Sequence, residues 1–325
     1  MKTLGTLLVS ASLIATGAAA QAADSVSFMI DWLPAGDKAA AYYGVENGIF
    51  EEAGLDVSIA VGRGSSDVVT KLATGTADVG SGGLAALLQA VATEDVPVKA
   101  VLSVYTIQPD SIFTTEDSGI DSIADLVDKN LATATFSSSN VVWPLLLEAN
   151  GLAPDAIVAT KVDPGALAPM LATGQMDATI NWSTVAPAYD AVLAETGKTL
   201  KVLPWSDFGY EGYGLSIFAS DTMLAERPEV LARFLDAYTK ATEAAIADPA
   251  GAAAALKKMV PEVDEATAVD QWTASIPLME NEISERDGMG AFDPELLATT
   301  WDWVARSLDL DPASLDPASV IATVE

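Results

Sequence analysis

The sequence has 325 residues, with 46 acidic against 16 basic side chains and a formal net charge of −30. So negative a chain excludes nucleic acid as a partner and is repelled by anionic lipid headgroups. The absence of histidine and cysteine excludes Ser-His-Asp and Cys-His catalysis, the common zinc and copper sites, and disulfides.

Residues 1–22 have the features of a secretion signal. Lys2 gives a weakly positive start, residues 4–15 are apolar, and residues 20–22 read Ala-Gln-Ala, a small-residue cleavage site. We expect cleavage near Ala22 and a mature periplasmic protein. Because there is no cysteine at the cleavage site, we expect no lipid anchor. An uncleaved anchoring helix is the alternative, but the apolar run is short for a membrane span.

The first part of the mature chain alternates between strands and helices. Strands are predicted at residues 25–30, 55–61 and 98–106. In these segments apolar side chains either alternate with polar ones or follow each other without interruption. Helices are predicted at residues 38–46, 67–74 and 84–93. A short strand should follow Asp78, and the glycine-rich residues 80–83 predict a turn. This order predicts a mostly parallel sheet flanked by helices.

The same alternation restarts near residue 108. Helices are predicted at residues 122–127, 142–150, 166–173 and 184–195, and strands at residues 131–136, 157–162, 178–180 and 200–203. A strand at residues 215–219 returns the chain, and helices follow at residues 228–248, 250–260, 266–276 and 294–307. We therefore expect an α/β protein of two lobes. Residues 23–107 and 214–325 would form the first lobe and residues 108–213 the second, with two hinge strands between them.

A seven-residue pattern occurs twice, at residues 72–78 and, 99 positions later, at residues 171–177. The copies agree at five of the seven positions, and in each a glycine (Gly75, Gly174) is followed by an aspartate (Asp78, Asp177). A glycine suits the left-handed position after a helix end. We interpret the pattern as a helix, a glycine stop and a strand, built once in each lobe. A common helix ending met twice by chance is the alternative.

In such a fold, loops at the carboxyl ends of the strands face a cleft between the lobes. The predicted ligand-binding residues in or near these loops are Asp31, Trp32, Arg63, Ser65, Ser66, Gly82, Ser137, Ser138, Ser139, Asn140, Trp182, Tyr210 and Glu211. We predict no catalytic residue, no metal site and no cofactor.

Aromatic side chains from opposite lobes suggest a flat ligand. Trp32 and Trp182 follow corresponding strands, so they could sandwich a ring, and Tyr210 is near the second hinge. Burial of Trp32 in a core is an equally good interpretation from the sequence.

The polar candidates have two interpretations each. Arg63 is the only cation in the cleft loops of the first lobe, or it is a solvated turn residue. The serines precede helices, where hydroxyl and N–H groups could bind an anion or a carbonyl or could simply cap the helix. Asp31 and Glu211 could bind an amino group, or they could be surface charges.

Several motifs together resemble one family. They are Asp31-Trp32-Leu33-Pro34, residues 48–57 (GIFEEAGLDV), residues 72–78 (LATGTAD), residues 213–220, Arg227-Pro228-Glu229 and Ala247-Asp248-Pro249. The chain is similar over its mature length to the substrate-binding proteins of ABC importers for nitrate, sulfonates, taurine and thiamine-pyrimidine precursors. The resemblance implies the type II periplasmic binding protein fold, with closure of two lobes on a ligand. Ala35, Lys38 and Ala40 stand where the pyrimidine-binding branch has Asn, His and Gly.

The resemblance implies an extracytoplasmic binding protein that delivers its ligand to permease subunits in the inner membrane. The aromatic and serine side chains favour a small flat polar ring, such as a thiamine-precursor-like pyrimidine. An aromatic carboxylate, taurine or an alkyl sulfonate is the alternative. We expect a monomer that is not an enzyme. An enzyme or a sensor on the same fold is the competing hypothesis.

Overall fold

The computed structural model describes residues 22–324, so the predicted secretion signal lies outside the described residues apart from its last position. The described chain forms two five-stranded sheets, each flanked by helices. Within this part of the chain, no helix has the length and apolar character that crossing a membrane requires.

The first sheet is built from both ends of the described chain. Its strands, in the spatial order β2-β1-β3-β10-β4, are β1 (Asp24–Ile30), β2 (Leu55–Val61), β3 (Val79–Gly83), β4 (Val98–Ser103) and β10 (Leu215–Ser220). The helices of this part are α1 (Ala39–Glu46), α2 (Ile49–Glu52), α3 (Ser65–Ala73), α4 (Leu84–Glu94), α8 (Asp221–Glu226), α9 (Pro228–Ala247), α10 (Pro249–Met259), α11 (Glu265–Met279), α12 (Glu282–Asp287) and α13 (Pro294–Ser307). We call this part the first lobe.

The second sheet is built from the middle of the chain. Its strands, in the spatial order β7-β6-β8-β5-β9, are β5 (Asp110–Thr115), β6 (Leu131–Ala134), β7 (Thr160–Val162), β8 (Ala178–Trp182) and β9 (Leu200–Pro204). Its helices are α5 (Ser139–Ala149), α6 (Leu167–Ala172) and α7 (Ala186–Ala194). We call this part the second lobe.

Four of the five strands in each sheet run in the same direction. In the first sheet only β10 is antiparallel to its neighbours, β3 and β4, and in the second only β5 is antiparallel to its neighbours, β8 and β9. In each sheet the antiparallel strand is the first strand after the chain passes from one lobe to the other. The predicted fold class, α/β with mostly parallel sheets, is therefore confirmed.

The prediction of a turn at residues 80–83 is wrong, because these residues lie inside the buried strand β3. Their glycines allow other side chains to pack closely against the strand. A Cβ at Gly80 would lie 2.4 Å from Cγ1 of Val68, and a Cβ at Gly82 would lie 2.6 Å from the Phe218 ring. Glycine at such a strand position indicates that another part of the protein packs closely against the backbone, and not that the chain reverses its direction.

The repeated seven-residue pattern makes the same contacts in both lobes. Gly75 and Gly174 have φ values of 70° and 72° and end α3 and α6. The carboxylate of Asp78 accepts a hydrogen bond from the Ser27 N–H at 2.8 Å, and that of Asp177 accepts one from the Asn130 N–H at 2.7 Å. Each aspartate thus fixes the entry of its strand beside the neighbouring parallel strand, so the pattern is one structural unit used twice.

Two segments, residues 104–109 and 205–214, connect the two sheets. They are tied together where the Gln108 amide donates a hydrogen bond to the Tyr210 carbonyl oxygen at 3.1 Å. Trp303 of α13 packs edge-on against the Tyr210 ring, with ring centres 5.1 Å apart. The connection is therefore buried under the C-terminal helix. The boundaries proposed at residues 107/108 and 213/214 stay predictions.

Candidate functional site

A small cavity lies between the lobes, at the carboxyl ends of β1 and β8 and at the N-terminal ends of α3 and α5. Its lining residues are Asp31, Trp32, Asp37, Ser65, Ser137, Ser138, Asn181, Trp182 and Val185. The free volume at its centre is about 10 Å³, close to the room that one water molecule needs. The lobes are therefore closed on each other in this structure.

The wall on the side of the first lobe is fixed by the Ser65 hydroxyl. This hydroxyl donates a hydrogen bond to Oδ2 of Asp31 at 3.0 Å and accepts one from the Gly83 N–H at 2.9 Å. Ser65 is the first residue of α3, directly after the N-cap residue Gly64. The hydroxyl joins the ends of β1 and β3, and holds the Asp31 carboxylate at the cavity wall.

A buried lysine joins the two acidic side chains of this wall. The Lys38 ammonium lies 3.1 Å from Oδ1 of Asp31 and 3.4 Å from Oδ2 of Asp37, and all three side chains are at most 4% exposed. Burial alone would lower the pKa of Lys38, but the two carboxylates outweigh it and raise that pKa to about 12. The lysine therefore stays charged, and the three groups carry a net charge of −1 when both carboxylates are ionised.

The two tryptophans of the site each pack into the opposite lobe. Trp182, from β8, packs against Tyr105 of the first lobe with ring centres 6.1 Å apart, and its ring lies 4.9 Å from the Lys38 ammonium. Trp32, from the first lobe, packs against the apolar cluster of the second lobe that contains Phe113 and Leu167. Both rings border the cavity, so the closed arrangement places aromatic surface on it from each lobe.

Polar contacts between the lobes surround the cavity. The Thr184 hydroxyl donates to Oδ2 of Asp37 at 3.0 Å, and the Ser66 N–H donates to the Phe136 carbonyl oxygen at 3.1 Å. Gly83 and Ser138 meet so closely that a Cβ at Gly83 would lie 2.3 Å from the serine hydroxyl oxygen. The lobes can therefore approach each other this closely only because residue 83 is a glycine.

A chain of hydroxyls in the second lobe leads to a buried aspartate. The Ser137 hydroxyl donates to the Ser139 hydroxyl at 2.9 Å, and the Ser139 hydroxyl donates to the Asp110 carboxylate. Burial raises the pKa of Asp110 to about 6, although the side chains of Ser139 and Trp182 act in the opposite direction. This carboxylate changes its ionisation in the mildly acidic range.

Six of the predicted site residues line the cavity: Asp31, Trp32, Ser65, Ser137, Ser138 and Trp182. Four others lie just behind its wall or beside it. Ser66 contacts the opposite lobe through its N–H, Ser139 contacts Asp110, Gly82 is buried in β3, and Asn140 donates hydrogen bonds to the carbonyl oxygens of Ala134 and Thr135.

The remaining three predicted residues are not brought to the cavity. The Arg63 side chain is 60% exposed, pairs with Asp67 at 3.1 Å and lies over the Phe136 ring. Tyr210 is buried in the connection between the lobes, and Glu211 is exposed. Their part in ligand binding stays a prediction that the geometry of this cavity does not support.

The sequence prediction missed Asp37, Asn181 and Val185 among the lining residues, and Lys38 and Asp110 behind them. Asn181 immediately precedes Trp182, in a loop that the strand-end argument does place at the cleft, although Asn181 itself was not among the predicted ligand-binding residues. Asp37 and Lys38 form a short 3₁₀ turn before α1, where the sequence suggested only the start of a helix. The sequence signal for Asp37 and Lys38 is that two adjacent residues of opposite charge follow the loop at the end of β1, which contains Trp32.

Two connected sheets with a cavity between them at the strand ends define the class of two-lobed periplasmic binding proteins, here in the type II form. The family model described as NMT1/THI5 like matches residues 36–252. The chain therefore belongs to the NMT1/THI5-like family.

Individual proteins are similar to this chain in sequence or in fold. The formylaminopyrimidine-binding protein of Halalkalibacterium halodurans is 26% identical over 296 residues, which cover 89% of this chain and 86% of that protein. The alkanesulfonate-binding protein of Xanthomonas axonopodis pv. citri, solved with MOPS bound, superposes with a TM-score of 0.72 at 17% identity, covering 93% and 99% of the two chains. The desulfurization enzyme DSZB has a TM-score of 0.59 at 17% identity, covering 92% and 96%. The fold therefore occurs in binding proteins and in an enzyme.

Proposed function

We propose that this protein is the solute-binding component of an ABC importer. It captures a small flat ring that carries amino groups, such as a thiamine-precursor-like pyrimidine, and delivers it to permease subunits in the inner membrane. One observation carries the proposal: two tryptophans from opposite lobes border a cavity whose charged lining residues are both carboxylates. The formylaminopyrimidine-binding relative supports the same ligand class.

Charge decides between the possible ligands. Among the residues that line the cavity none is basic, and the buried Lys38 behind them is already paired with two carboxylates. A sulfonate or carboxylate would have to lie beside Asp31 and Asp37 without a free cation, which like-charge repulsion opposes. An aminopyrimidine offers N–H donors instead. Oδ1 of Asp37 is buried without a hydrogen-bond partner among the described residues, and it is a suitable acceptor for such a donor.

We propose binding without chemistry. An enzyme on this fold needs an activated nucleophile, and this chain has no histidine or cysteine to supply one. The hydroxyl chain from Ser137 to Asp110 ends on a buried carboxylate, and no base lies beside Ser137 in the contacts of the described residues. A test for turnover is the recovery of the unchanged ligand after prolonged incubation with the protein.

The proposed site of action is the periplasm. We propose that residues 1–22 direct export and are removed, and that the mature protein is a soluble monomer without a lipid anchor. N-terminal sequencing of the exported protein should begin at Ala23 or within two residues of it. An intact Met1 terminus on the exported protein, or its recovery only with membranes, would contradict this part of the proposal.

Calorimetric titration tests the ligand class. Aminopyrimidines, aromatic acids, taurine and nitrate are titrated into the wild type, Trp32→Ala and Trp182→Ala. Ring stacking contributes roughly 0.5–1.5 kcal/mol per aromatic pair beyond area burial, so each variant should bind an aminopyrimidine severalfold more weakly. Asp37→Asn should weaken it further, whereas Trp303→Phe, away from the cavity, should not. Tight binding of taurine or nitrate, unchanged by either tryptophan substitution, would refute the ring hypothesis and leave the importer role.

A further inference from the structure

A second, larger opening adjoins the cavity, and we call it the side groove. The first lobe supplies residues 32–35 and several residues between 260 and 271, and the second lobe supplies residues of the segments 164–169 and 181–192. Its volume is about 590 Å³, which is within the usual range for a small-molecule site. Because both lobes form its walls, the side groove has this shape only when they are closed.

The surface of the side groove is mainly apolar. Leu33, Pro164, Ala168, Val192 and Val263 are typical of its lining. Its buried polar side chains are already engaged: Oε1 of Gln271 accepts a hydrogen bond from the Gly36 N–H at 2.8 Å, and the Tyr189 hydroxyl accepts one from the Asn181 amide at 3.0 Å. The acidic side chains of Glu262 and Asp264 are exposed at its rim. The inner surface therefore offers apolar contact and little hydrogen bonding.

The side groove and the cavity are adjacent. Trp32, Asn181 and Val185 line both of them. Trp32 is half-buried and forms part of the boundary. The central cavity, about 10 Å³ in this closed form, has to widen by a small separation of the lobes before it takes a ring against Trp32. A substituent on that ring would then extend past Asn181 and Val185 toward the side groove, because the central cavity has no further room for it.

We propose that the side groove binds an apolar substituent of the same ligand, so that the transported solute is a ring with an alkyl or aryl chain rather than a bare small ring. This inference rests on the proposed capture of an aminopyrimidine-like ring in the cavity. An apolar chain held between residues of both lobes contacts the closed form only, so it favours closure as well as affinity.

The test uses a series of 4-amino-2-methylpyrimidines whose substituent at ring position 5 grows from methyl to hexyl. Dissociation constants are measured by calorimetry with the mature protein. Burial of each methylene should tighten binding by about threefold to fourfold in the wild type. Ala188→Phe, on the groove side of α7, fills the groove and should flatten this dependence. Ala194→Phe, exposed on the same helix and outside the groove lining, should keep the wild-type slope.

The possible outcomes separate the two proposals. If the methyl compound binds and longer chains bring no gain in the wild type, the inference about the side groove is wrong and the proposed function stands. An unchanged slope in Ala188→Phe would also refute the inference, because the chains would then lie elsewhere. If no member of the series binds, the proposed ligand class fails and the inference fails with it.

Discussion

Replacing Lys38 by methionine tests whether the buried charge cluster is assigned correctly. The substitution keeps the length and apolar stem of the side chain but removes the cation between Asp31 and Asp37. At an effective dielectric constant of about 20, a unit charge at 3.1 or 3.4 Å from another interacts by roughly 5 kcal/mol before desolvation. Removing one member of a buried pair typically lowers the free energy of unfolding by about 3–5 kcal/mol, because the remaining charge is left uncompensated.

Urea denaturation followed by tryptophan fluorescence measures this loss. The matched control is Lys258→Met, since Lys258 is 69% exposed and pairs with Glu46 at the surface, where ion pairs contribute about 1 kcal/mol or less. The loss in Lys38→Met and in the control is compared at pH 8. A loss at pH 8 no larger than that of the control would refute the assignment.

Three further predictions concern closure, pH and the repeated pattern. Gly83→Ala should weaken ligand binding and enlarge the radius of gyration of the liganded protein in X-ray scattering, and adding Ser138→Gly should restore both. The raised pKa of Asp110 should lower the free energy of unfolding by up to about 3 kcal/mol as the pH rises from 4 to 7, a decline that Asp110→Asn should lack in urea titrations at each pH. Asp177→Ala, which removes the carboxylate bonded to the Asn130 N–H, should lower the urea unfolding free energy by about 1.5–3 kcal/mol, and an unchanged midpoint would contradict this role.

Elements with a clear period were predictable from the sequence. Leu55–Val61 and Pro294–Ser307 have the same bounds in the structure as in the prediction, because each has one buried face and one polar face. The glycine stops at Gly75 and Gly174 were also predictable, since a left-handed residue after a helix strongly favours glycine.

Elements whose polar residues are buried were missed. The strand Asp110–Thr115 is buried along its whole length and paired on both sides. Its residues Asp110, Ser111 and Thr114 nevertheless give it a polar composition that is typical of a loop. Residues 80–83 of the strand Val79–Gly83 were predicted as a turn for a related reason, because their glycines serve packing rather than chain reversal. Periodicity carries no information about a central strand that has no solvent face.

The strand-end argument located the cavity correctly but not its charge. It placed Trp32, Ser65 and Trp182 in facing loops, and all three line the cavity. The only cation it offered in the cleft loops of the first lobe was Arg63, with a solvated turn residue as the alternative, and Arg63 pairs with Asp67 at the surface. Lys38, which lies behind the cavity wall, is buried among side chains from a 3₁₀ turn and from the other lobe. The sequence does not show this arrangement, because it forms only when the two lobes come together.

Lys38 contributes a positive charge to the site that does not change near neutral pH. In the family branch that the sequence resembles, a histidine occupies this position, and an imidazole changes its charge near neutrality. The pKa of Lys38 is raised to about 12, so its positive charge persists throughout the physiological range. Lys38 thereby offsets one of the two adjacent carboxylates, and the three groups carry a net charge of −1 when both carboxylates are ionised. Behind the cavity wall, burial raises the pKa of Asp110 to about 6. Its ionisation adds a second negative charge behind Trp182, so we expect the attraction for a ring with amino groups to strengthen as the pH rises through about 6.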